Sequence, residues 1–210
     1  ETIRALAAAL DVEMATWVAP PRTRGGPKGA VLHALFPRGT VRPDQVNSYR
    51  FEMDPMFEDE GAIVFRVASK ELYRRPVDER WPEEIHMEVE MPAAVWEALE
   101  RGETVTWGFD PADESQNEIT ASFRPADGDL DAKIAEVEMR LADQDPLVRR
   151  QIMAQVYLNA GLAHEAYATA LSVAKESPTP TAHAVMKAAL EAMGLEGSPL
   201  WTDLLVSAER

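Results

Sequence analysis

Four carboxylates, Asp127, Asp129, Asp131 and Glu138, stand at the spacing of positions 1, 3, 5 and 12 of a calcium-binding loop, with Ile134 at its apolar position 8. Hard oxygen ligands at those intervals wrap a divalent cation only if the chain turns sharply at position 6. The sequence has Ala132 there, where the turn requires glycine. The same stretch carries Leu130, Ile134, Val137 and Leu141, an apolar stripe of helical period. Carboxylates at the start of a helix are favoured by its macrodipole, so the pattern predicts a helix, and the expectation is no bound metal.

Other chemistry-bearing residues are scattered. His33, His86, His164 and His183 fall on four separate expected elements, and no two have the short spacing of a metal-ligand pair. His86, between Glu84 and Glu88, could serve a metal or a proton transfer, but the polar half of an alternating strand accounts for it. No serine has the strand-to-helix context of a nucleophile, and Gly25-Gly26 lies among prolines rather than in a phosphate-binding loop. The chain contains no cysteine, which removes disulfides, thiolate zinc sites and cysteine nucleophiles together. The expectation is a protein that is not an enzyme and holds no cofactor.

Charge bears on partners. A formal net charge of -15 over 210 residues argues against nucleic acid or an anionic membrane surface. No apolar run approaches the roughly 20 residues that span a bilayer. Against this background Arg22, Arg24, Lys28, Arg38 and Arg42 form a positive run with no acidic residue between Ala19 and Pro43. It is a candidate partner surface, or one that docks on the protein's own acidic residues. Asp54 to Glu60, DPMFEDE, reads as a solvated acidic loop. Trp81, in the polar segment DERWPEE, is the candidate for stacking on a ligand, whereas Trp107 belongs to the inward set of its strand.

These residues must be positioned by two kinds of element. Ile3, Leu6, Leu10, Met14 and Trp17 predict an amphipathic helix over 1–18, and the proline- and glycine-rich segment 19–29 a linker. Within 30–126 the period is two. Ile85, Met87, Val89 and Met91 alternate with polar residues, as do Val105, Trp107 and Phe109. Weaker strands are expected at Val31 to Phe36, Val46 to Met53, Ala62 to Ala68 and Glu118 to Phe123. Pro92 and Gly102 bracket a short helix. In 127–210 the helical period returns, with an N-cap and first-turn proline at Asp145-Pro146, a stop at Gly161, and further helices over about His164 to Glu176, Thr181 to Met193 and from Pro199. The expected fold class is α+β: an antiparallel β-sandwich of six or seven strands followed by an all-helical array.

Ala154, Tyr157, Gly161, Ala166 and Pro178 match the spacing of a tetratricopeptide repeat, with Met153 at the usual leucine and Arg150 at the usual tryptophan. The stretch therefore resembles that family, over about residues 146–195. The segments FPRGTVRPDQVNSYRFEMD, MPAAVWEALERGETVTWGFDP and ITASFRPADGD resemble a fibronectin-type sandwich. Together they are similar to the extracytoplasmic regions of bacterial anti-sigma-factor-like and FecR-like regulators. That resemblance implies a periplasmic sensor module, anchored by a segment outside this chain.

The functional expectation is a non-catalytic regulatory or protein-interaction module with another protein as partner. Gln155, Asn159 and His164 would be exposed positions near any groove of the helical array. A carbohydrate- or small-molecule-binding sandwich is the alternative, and a metal-dependent hydrolase the third reading.

Overall fold

The computed structural model describes residues 7–8, 14–15, 32–53, 60–77, 86–113 and 119–208. The chain divides into two compact units, one of Thr23–Pro125 and one of Glu1–Arg22 with Ala126–Arg210. The linker expected over 19–29 and most of the helix expected over 1–18 lie outside the described residues; within that span Ala7 and Ala8 are helical.

The first unit contains eight strands among the described residues. A three-stranded sheet has the order β1 (Leu32–Phe36), β3 (Ser48–Met53), β6 (His86–Glu90). A five-stranded sheet has the order β2 (Gly39–Val41), β8 (Ile119–Pro125), β7 (Val105–Pro111), β4 (Gly61–Val67), β5 (Lys70–Val77). Helix α1 (Ala93–Glu100) adds Val95, Ala98 and Leu99 to a core that both sheets share.

An aromatic cluster forms the centre of that core. The Tyr49 ring, from β3, meets Phe65 of β4 at 5.0 Å and Trp107 of β7 at 5.6 Å, both edge-on, while Phe65 and Trp107 stack at 5.4 Å. Edge-on and stacked pairs of this kind add about 0.5–1.5 kcal/mol beyond their buried area. The Trp107 indole Nε1 donates to the Pro37 carbonyl at 2.8 Å, so its one polar atom is satisfied. Gly61 allows β4 to approach β7, since a Cβ there would lie 2.5 Å from both the Asp110 carbonyl and the Phe109 ring. On the β4–β7 surface away from the aromatic cluster, Asp110 accepts from Arg66 at 2.9 Å and from Arg74 at 2.6 Å.

The antiparallel sandwich expected from the sequence is corrected by this topology. The larger sheet is mixed, because β2 runs parallel to β8, pairing Gly39 with Phe123 and Val41 with Pro125. Strands β2 and β5 were also not expected. β2 has three residues and no alternation to detect. β5, KELYRRPV, is rich in charge, which its place at the edge of the sheet tolerates because, among the described residues, only β4 pairs with it. The mixed sheet likewise removes the fibronectin-type resemblance.

The helical unit contains α2 (Gly128–Arg140), α3 (Pro146–Asn159), α4 (Ala163–Glu176), α5 (Pro180–Ala192) and α6 (Pro199–Ala208). Side-chain oxygens close the N-termini of α2, α3 and α5. Asp127 accepts from the Leu130 N–H at 2.8 Å, Asp145 from Leu147 and Val148 at 2.9 and 3.2 Å, and Thr179 from Ala182 at 3.1 Å. Gly161, at φ +76°, makes the left-handed turn between α3 and α4. Helices α3, α4 and α5 pack on their chain neighbours, and α3 also touches α5. Residues 1–22 fall in the same compact unit as 126–210. Tyr157 donates its hydroxyl to Glu138 of α2 at 3.0 Å.

Two measurements follow from the sheet unit. Ala68, in the β4–β5 turn, has φ +51°, a region that costs a residue with a Cβ about 1–2 kcal/mol. Ala68→Gly therefore stabilises the protein by about 0.5 kcal/mol after the greater unfolded-state freedom of glycine is subtracted, read from urea denaturation. The Tyr49 hydroxyl is buried beside Tyr73 and Arg75. Burial first, then Tyr73, pushes its pKa up to about 12, with Arg75 opposing. A phenol with a raised folded-state pKa supplies stability below the unfolded value near 10 and loses it as pH rises towards 12. Tyr49→Phe should therefore gain on the wild type progressively above pH 10, measured by chemical denaturation across that range.

Candidate functional site

The α3 sequence presents two faces. Ile152, Met153 and Val156 pack with Ile134, Leu141 and Leu162 in an apolar cluster. Gln151, Gln155 and Asn159 are spaced by four residues and share another strip of the helix surface. Gln151 and Gln155 are buried there, Gln155 with 0% exposure.

Gln155 meets the chain's own beginning. Its Oε1 accepts the main-chain N–H of Ala15 at 2.8 Å, across 140 residues of sequence. A backbone N–H can be received only by the oxygen of a carboxamide, so this contact fixes which way the amide points. Met14 and Ala15 are in neither helix nor strand, which leaves the Ala15 N–H available. Ala7, from the same part of the chain, is 1% exposed. The other half of the carboxamide, Nε2, is buried and meets no acceptor among the described residues. The arrangement captures main chain and leaves a directed donor over.

The positions singled out from the sequence fare differently. Gln155, expected to be exposed, is buried because the Ala15 main chain lies on it. Asn159 is exposed at the end of α3, and His164 is half-buried at the start of α4. Of the positive run, Arg22, Arg24 and Lys28 lie outside the described residues, as does Trp81. Arg38 turns inward: its Nε donates to the Ala34 carbonyl at 2.7 Å, and burial lowers its pKa. Arg42 is 3.8 Å from Asp44, immediately beyond the run. The calcium-loop carboxylates are separated by the helix they start. Asp127 caps α2 while Glu138 lies near its end, about 16 Å away at the helical rise per residue. Among the described residues, no group of three histidine, aspartate or glutamate side chains could hold a metal ion.

One juxtaposition was invisible along the chain. The strand register sets His33 of β1 and His86 of β6 opposite Glu52 of β3, and the Glu52 side chain is only 3% exposed. The three residues are 19 and 34 positions apart, taking 52 − 33 and 86 − 52. Only pairing of three strands brings them into one row.

Compared with known proteins, the chain matches no family model and no curated protein. The tetratricopeptide and FecR-like or anti-sigma-factor-like resemblances are thus corrected on both grounds, by the topology and by the absence of a family match. Among the described residues, no helix is long and apolar enough to cross a membrane.

The capping role of Asp127 is separable from metal binding. Asp127→Ala should cost about 1 kcal/mol through loss of the cap. That loss should be the same in calcium and in chelator, as measured by urea denaturation; a calcium-dependent difference would restore the loop reading.

Proposed function

We propose that this protein is a non-catalytic interaction module whose helical unit takes up a polypeptide segment of another protein. The observation that carries this reading is the Gln155–Ala15 contact. A side chain with no exposure is committed to a main-chain N–H from a distant, non-helical part of the chain. A receptor for polypeptide backbone has the same requirements: a dry acceptor and small neighbouring residues. The strong negative charge of the chain favours a neutral or basic partner. The stacking candidate for a sugar ligand, Trp81, lies outside the described residues, while Trp107 is buried with its Nε1 occupied.

Photo-cross-linking tests the surface. With a photoreactive residue at Asn159, on the strip that carries Gln155, irradiation in the native host should yield adducts with another protein. Excess peptide of residues 1–22 should suppress them, and Gln155→Ala should abolish them. Adducts formed from Lys70, on the sheet unit, and not from Asn159 would move the contact surface off the helices and refute this reading.

A further inference from the structure

We draw no further inference here: the strongest candidate, the row that the strand register forms from His33, Glu52 and His86 across the three-stranded sheet, carries nothing, because no group of three histidine, aspartate or glutamate side chains among the described residues could hold a metal ion and nothing in the structure shows what covers the buried Glu52.

Discussion

A carboxamide oxygen sealed from water can be satisfied only by a donor within the protein, and at Gln155 that donor is a main-chain N–H from far away in the sequence. The bond ties Ala15 to a helix whose contact residue lies 140 positions later, and residues 1–22 join the same compact unit. An apolar residue at position 155 would pack as well but would specify no register for the segment lying on it. The carboxamide does, because it accepts only where a backbone N–H is unpaired.

The sheet unit depends on a different contact. Tyr49 is the point at which the three-stranded sheet meets the stacked Phe65 and Trp107 of the five-stranded one. Its hydroxyl carries a burial cost that a phenylalanine would avoid, offset by the ring contacts around it. The Trp107 indole anchors the same cluster to the Pro37 carbonyl, between β1 and β2, where the chain passes from one sheet to the other.

The legible parts of the fold were those where local sequence states its own structure. Asp145-Pro146 announces a helix start because the carboxylate caps and the proline is pre-set for the first turn; Gly161 announces a stop because φ +76° suits glycine. β7 was legible because Val105, Trp107 and Phe109 alternate towards a single core. β5 was not, because an edge strand buries little and can carry Lys70, Glu71, Arg74 and Arg75. β2 was not, because three residues held by a parallel partner from the far end of the unit contain no periodic signal. At the candidate site, the sequence marked Gln155 by its helical position but predicted exposure, since burial came from a segment far away in the chain.

By itself, then, the sequence determined the period of each segment, the helix caps, the lack of thiol chemistry and the acidic charge, all of which are properties of single residues or neighbours within a few positions. Only the tertiary structure decided that β2 runs parallel to β8, that His33, Glu52 and His86 share a row, and that Gln155 faces Ala15. Each of these is a pairing between distant residues. Such pairings are chosen by which buried polar groups and which strand edges can be satisfied together, and a linear pattern carries no record of that choice.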